Sequence, residues 1–404
     1  MADGELHSPL PKPVAPAHTP VVNPDPGKLA LVLAGGGARA AYQVGFLRGL
    51  AKAFPELEFP ILTGVSAGAI NAAHLANNRG TFPVATEELV ALWQSITIDQ
   101  VFRTDLPALG LTMVRWAVRL VSGGVNLSPP AHGLVDTQPL REVLERALAP
   151  RGGPLAGIED NIRSGRLAAV GITTTNYTTG QSNSWVQGND LTQWERPGRR
   201  SFGTQLTVDH IMASCALPLF FPAGRIGLDW HGDGGVRLTA PLSPALHLGA
   251  RRMLAISTQY AGAHAAAAIS EKPRDYPPPA TIIGLLLDSI FLDMLDYDAL
   301  SAQRVNALLE SHPRPHDTGL HPVDLLLIRP SQDLSVIAND YESELPRTFR
   351  FVTRGLGTRE TRRADMLATL MFQPGYIRRL IALGEADCAR RHDELVRFLA
   401  PDLT

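Results

Sequence analysis

A three-layer α/β/α architecture around a mostly parallel sheet is the fold class that this 404-residue sequence predicts. Three observations carry it. The composition, 45% hydrophobic and 19% charged, supplies a large buried core and leaves too little charge for a disordered chain or a coiled coil. Two strand–turn–helix units follow one another directly near the N-terminus, and such units build parallel strands with helices on the sheet faces. Short apolar runs then recur as far as residues 323–329, and the last forty residues are helical in their periodicity.

The elements follow in order. Residues 29–34 are a continuous apolar run before Gly35-Gly36-Gly37, and residues 38–54 carry apolar side chains at helical spacing, the pattern of a buried strand, a tight turn and a helix. Residues 59–65 repeat it, ending in Ser66-Ala67-Gly68 before a small-residue helix over 69–77. Residues 82–124 read as helical, with Thr86 as the N-cap of a helix over 87–96. Asp136 or Thr137 caps a helix over 139–148, because proline is tolerated in a first turn. Residues 167–175 and 181–187 form a threonine-rich hairpin through Asn176-Tyr177-Thr178-Thr179-Gly180. A helix over 207–216 stops before Pro218, residues 225–235 are turn-rich, 243–248 form a short helix and 252–257 another buried strand. Beyond an Ala/Pro-rich connector at 261–279, the strand at 323–329 joins the same sheet. Residues 361–400 are helical with a break at Gln373-Pro374-Gly375.

A formal net charge of −2 gives no whole-chain attraction to nucleic acid. Cys215 and Cys388, the only cysteines, make neither a disulfide framework nor a metal-ligand spacing, so a reducing compartment is expected. Residues 1–28 hold seven prolines and no apolar signal region, which predicts a disordered lead-in. No run approaches the roughly 20 apolar residues that span a bilayer. The expected location is cytoplasmic, with peripheral membrane contact.

Three motifs carry chemistry. Gly35-Gly36-Gly37-Ala38-Arg39-Ala40 matches the dinucleotide pattern G-x-G-x-x-A. That use needs an acidic residue at the end of the following strand, which here ends in Gly64-Val65-Ser66, with Glu56 and Glu58 lying before it. Consecutive glycines at a helix N-terminus equally leave backbone N–H groups aimed at one point, which suits a developing oxyanion. Gly64-Val65-Ser66-Ala67-Gly68 is G-x-S-x-G, the nucleophile elbow, whose plainer alternative is a tight turn with Ser66 as N-cap. The strand before it and the helix after it favour the elbow. Asp233-Gly234-Gly235 follows Trp230-His231-Gly232, and its glycines let a carboxylate approach another backbone. Taken alone, an ordinary Asp-Gly turn is the better reading.

Together and in this order the motifs resemble those of the patatin-like phospholipase family. Ala213-Ser214-Cys215-Ala216-Leu217-Pro218, before Phe220-Phe221-Pro222, is similar to the family's Ala-Ser-x-Ala-x-Pro segment, and Leu134-Val135-Asp136-Thr137-Gln138-Pro139-Leu140 is similar to bacterial members. The resemblance runs from about residue 29 to 257. It implies a patatin-like α/β/α fold and one catalytic domain over 29–404, with a motif-bearing core at 29–260 and a mostly helical part at 261–404. It implies a lipid acyl hydrolase of phospholipase A, lysophospholipase or esterase type, working through an acyl-enzyme. Ser66 would be the nucleophile, Asp233 its dyad partner, and the N–H groups of Gly36, Gly37 and Ala38 the oxyanion hole. Gly35, Arg39, Gly64, Gly68, Gly234 and Gly235 would support them. A lipid or phospholipid is the implied partner, with no metal, organic cofactor or nucleic acid. One departure is Ala40, where the family usually has glycine, and its methyl bears on how closely the loop packs.

Two alternatives stand beside this reading. An α/β-hydrolase triad would keep Ser66 and Asp233 and add His247, His312 or His321, which preserve the order Ser, Asp, His. His231, two residues before Asp233, would share its face in a strand. The other alternative is a catalytically inactive lipid- or nucleotide-binding module. Residues 106–121, with Met113, Arg115, Trp116 and Arg119, could form an interfacial lid, although a helix packed on the core is the plainer reading. Cys215 reads as a small buried residue. Asp288, Asp293, Asp296 and Asp298 fit no EF-hand spacing and read as an exposed helix face.

Overall fold

The computed structural model describes residues 29–103, 133–189, 191–260, 276, 278–291, 293–311, 320–355 and 365–399. The proline-rich segment 1–28, the lid candidate 106–121 and most of the connector 261–279 lie outside the described residues.

Among the described residues ten strands form one sheet: β1 (Leu29–Leu33), β2 (Ile61–Val65), β3 (Ala169–Asn176), β4 (Ser182–Gly188), β5 (Glu195–Arg196), β6 (Arg199–Gly203), β7 (Gly224–Ile226), β8 (Asp229–Asp233), β9 (Arg252–Ile256) and β10 (Asp324–Ile328). Their order is β10-β9-β1-β2-β3-β4-β6-β5, and the first five are mutually parallel. β4 runs antiparallel to β3 as the expected hairpin. The strand expected at 323–329 does join this sheet, beside β9.

Alternation along the strands builds the layers. Leu29, Leu31 and Leu33 enter one apolar cluster while Ala30 and Val32 enter another, so β1 is covered on both faces. On the larger side lie α1 (Ala41–Ala53), α2 (Ala67–Asn77), α3 (Phe82–Ser95), α4 (Gln138–Leu148) and α5 (Val208–Ser214). Two helices towards the end of the chain, α6 (Asp365–Leu370) and α7 (Pro374–Arg390), lie on that side as well. α1 and α7 nearly touch backbone to backbone, since a Cβ on Gly45 would lie 1.9 Å from the carbonyl oxygen of Ile381. Tyr42 ties the same pair by donating to Asp387 Oδ2 at 3.0 Å.

Three local expectations change, and the choice between two caps for α4 is resolved. Helix α3 begins at Phe82 with Thr81 as its N-cap, and Thr86 lies inside it, where its hydroxyl returns to the carbonyls of Phe82 and Pro83. The N-cap of α4 is Thr137, yet the side chain that accepts from the first turn is that of Asp136, on Gln138 N at 2.9 Å. The stretch 225–235 is mostly the β7–β8 hairpin, turning at Gly227, whose φ is +62°. Asp298 is no solvated helix residue: it accepts from Leu242 N at 2.8 Å, while Asp296 pairs with Arg329.

Candidate active site

The register of β3 brings together two residues 167 positions apart. β2 occupies one edge of β3 as far as Val65, which pairs with Thr173. At the next position, Thr174, the same edge is taken up by Asp233 at the end of β8, arriving antiparallel. Ser66, the residue after Val65, therefore meets Asp233 end to end.

Ser66 sits at φ 55° and ψ −132°, backbone that a non-glycine residue adopts at a cost of about 1–3 kcal/mol and that persists only where its surroundings fix it. Those surroundings are consecutive residues at the end of α5. Ser66 N donates to Ser214 Oγ at 2.9 Å, and that hydroxyl donates to Thr173 O at 2.7 Å. Cys215 Sγ donates to Ser66 O at 3.1 Å. The segment Ala213 to Pro218 thus has a physical role that its spelling alone does not reveal. Ser66 is the N-cap of α2 by position, but its side chain makes no capping bond, so the hydroxyl is left for other work.

Both elbow glycines are sterically required. A Cβ on Gly64 would lie 2.4 Å from Gly68 O, and one on Gly68 would lie 2.3 Å from Leu33 O and 2.5 Å from Ala34 O. Because the colliding atoms are backbone, Gly68→Ala is expected to cost roughly 2–3 kcal/mol and to displace the elbow. Thermal unfolding and an esterase assay on the same preparation would check it, with both readouts expected to fall.

Asp233 is fully buried. Its Oδ1 accepts from Gly235 N at 2.9 Å. Oδ2 has no partner of normal hydrogen-bond geometry, and the Ser66 hydroxyl is close enough to favour the charged carboxylate. Burial dominates, pushing the carboxyl from 3.8 up to about 7, against smaller lowering effects from Ser66 and from the Gly235 N–H. Gly234 admits this packing, since a Cβ there would meet Thr173 O at 2.2 Å.

The glycine turn faces the same space. Gly36 has φ 146° and Gly37 φ 58°, and both line the pocket with Ser66 and Asp233. Gly37–Ala40 is a 3₁₀ turn whose first internal bond is donated by Arg39 N to Gly36 O. The N–H groups of Gly37 and Ala38 are therefore surplus to the turn. Ala38 is fully buried and is not one of the residues lining the pocket. Ala40 has ordinary right-handed geometry, φ −66° and ψ −11°, so its methyl introduces no backbone strain. Arg39 is buried, and its Nε donates to Gly36 O at 3.3 Å.

The rest of the pocket is mainly apolar: Ile70, Trp93, Ile96, Val101, Leu140, Leu217 and Phe221, with Leu370 at the end of α6 and Phe372 from the connection between α6 and α7. Trp93 is fixed by donating to Asn71 Oδ1 at 2.7 Å, and its ring stacks on Phe372. None of these wall residues is legible as a site residue in the sequence. An apolar side chain at helical spacing reads the same whether it faces a core or a pocket.

Among the described residues no histidine lines this pocket. His231 does lie on β8, but its Nδ1 meets Thr174 Oγ1 at 3.1 Å and its ring packs against Trp185. His247 stacks on Trp194. His321 precedes β10, at the end of the parallel sheet opposite to Ser66. His312 lies outside the described residues. No group of three or more His, Cys, Asp or Glu among the described residues forms a metal site, and no helix there is long and apolar enough to cross a membrane.

The patatin-like phospholipase family model matches residues 31–246, more than half of the chain. The chain belongs to the patatin-like phospholipase family. The matched region contains the glycine turn, the elbow and the Asp-Gly-Gly turn in that order, as the sequence resemblance implies. Among solved structures, one similar chain is human GIVD cytosolic phospholipase A2 in complex with methyl gamma-linolenyl fluorophosphonate, at 12% identity and TM-score 0.43, covering 94% of this chain and 59% of that one. Another is VipD from Legionella pneumophila, at 14% identity and TM-score 0.35, covering 91% and 67%. This patatin-like chain thus spans about three fifths of the length of the human protein. A search of curated protein sequences gives no match.

Proposed function

We propose that residues 29–404 form one catalytic domain that hydrolyses lipid acyl esters through a Ser66–Asp233 dyad and an acyl-enzyme. The observation that carries this reading is that Ser66 and the buried carboxyl of Asp233, whose Oδ2 makes no hydrogen bond, line one mainly apolar pocket together with Gly36 and Gly37. Asp233 takes the proton of the Ser66 hydroxyl as the oxygen attacks the ester carbonyl. Backbone N–H groups of Gly36 and Gly37, the two residues of the turn that line the pocket, hold the oxyanion that forms. Asp233 then passes its proton to the leaving alcohol, and the acyl group remains on Ser66. A water molecule, deprotonated by Asp233, releases the fatty acid and restores the serine. Apolar walls suit the acyl chain, which makes a lipid or phospholipid the substrate and a membrane surface its source. The dyad is favoured over a triad because no histidine among the described residues lines the pocket, His231 being turned to Thr174 and Trp185 and His247 to Trp194.

A base must be ionised to accept a proton, and Asp233 is held at about 7. The kcat/KM for a soluble short-chain ester is therefore expected to rise with pH, nearly tenfold per unit well below 7, and to level above it. A pH–rate profile checks this, and a flat response from pH 5 to 8 would contradict it. The activity itself is tested by incubating phospholipid vesicles with wild type and Ser66→Ala and measuring released fatty acid. Release by the wild type alone is expected.

A further inference from the structure

We infer that Thr258 and Thr369 are positioning residues that clamp the oxyanion turn from outside the region the family model matches. This inference rests on the proposed role of the Gly36–Ala38 turn. Both threonines lie beyond residue 246, where that match ends.

Thr258 follows β9 and is buried. Its hydroxyl donates to Gly35 O at 2.8 Å, and a Cβ on Gly36 would lie 2.4 Å from that Oγ1. The side chain therefore packs directly against the turn at the residue whose φ is 146°. Thr369 approaches from the opposite end of the sequence. Its carbonyl oxygen lies where a Cβ on Gly37 would be only 2.2 Å away, so the backbones of α6 and the turn abut. Its hydroxyl accepts from the Arg39 guanidinium at 3.1 Å and donates to Asp365 O at 2.9 Å. Arg39 in turn holds Gly36 O. A chain of hydrogen bonds thus runs from α6 through Arg39 to the turn, while Thr258 fixes the preceding carbonyl.

Oxyanion stabilisation depends on donors held in place before charge develops, and small displacements of such donors are expensive for the rate. Thr369 also lines the pocket, so the expectation that the two hydroxyls act on kcat and leave ground-state binding nearly unchanged holds for substitutions that keep the side-chain volume. Valine is the near-isosteric probe, since it replaces the hydroxyl by a methyl, and serine is the conservative control.

The experiment measures kcat and KM of Thr258→Val and Thr369→Val on a soluble ester, per active site titrated with a fluorophosphonate. Titration counts only folded, competent sites, so partial misfolding does not mimic the effect. Each valine variant is expected to lose roughly 10- to 100-fold in kcat with KM within about twofold of wild type. The acid limb of the pH profile should not move, because the dyad is untouched. Serine variants are expected to recover to within about threefold. Equal losses in kcat for serine and valine, a change carried by KM, or wild-type kcat in both valine variants would overturn the clamp. If Ser66→Ala remained active, the dyad reading itself would fail. An inactive Ser66→Ala beside fully active valine variants would remove the clamp alone.

Discussion

Ser66→Ala is expected to abolish ester hydrolysis, lowering kcat by at least about 10⁴-fold, while the protein keeps its fold. The change deletes an oxygen that makes no capping bond to α2, so no cap is lost. The bonds that hold the elbow are made by the backbone N–H and carbonyl of residue 66, and these survive in alanine. Strain at φ 55° is common to both side chains. The unfolding midpoint should therefore stay close to that of the wild type, and circular dichroism with a thermal melt would confirm it. Residual hydrolysis within tenfold of wild type would mean that another group attacks the ester.

Asp233→Asn is expected to cost 10²- to 10⁴-fold in kcat, the range for loss of a general base, and to make the protein more stable at alkaline pH. Asparagine keeps an acceptor for Gly235 N but cannot take the Ser66 proton. The stability effect follows from linkage. The native carboxyl titrates near 7 against an ordinary value of 3.8, so the folded state holds an extra proton between those values. Stability is therefore full below about pH 4 and falls as pH rises through 7, by about 4 kcal/mol in all. Asparagine carries no such penalty. The variant should unfold at a higher temperature than wild type at pH 8, and its advantage should disappear by about pH 4. A catalytic carboxyl bought at the expense of stability is the signature sought, and equal melting of both proteins at pH 8 would remove it.

Legibility in the sequence followed the length scale of the interaction. The β1–turn–α1 and β2–elbow–α2 units were readable because strand, glycines and helix are adjacent in the chain. So was β10, an apolar run of strand length whose place beside β9 completes the parallel block. The β7–β8 hairpin was not, since glycines at 224, 227 and 232 gave the stretch the look of a loop. The same glycines mask the device that joins the two halves of the site, a strand entering the β3 edge where β2 leaves it. Ser66 and Asp233 are legible as a pair only through the family resemblance; their proximity depends on a register no local pattern encodes. Ser214 and Cys215 were visible as a motif without a task. Thr258, Thr369 and the Trp93–Phe372 wall had no signal at all, because their partners lie far off in the chain.

The most direct test of the Ser66–Asp233 assignment is covalent. Wild type, Ser66→Ala, Asp233→Asn and His231→Ala would be treated with a fluorophosphonate, and adduct formation followed by intact mass and located by peptide mapping. The expected result is a single adduct on Ser66, absent from Ser66→Ala, formed at least about 100-fold more slowly in Asp233→Asn and at a near wild-type rate in His231→Ala. An adduct on another residue, or a loss in His231→Ala equal to that in Asp233→Asn, would contradict the dyad.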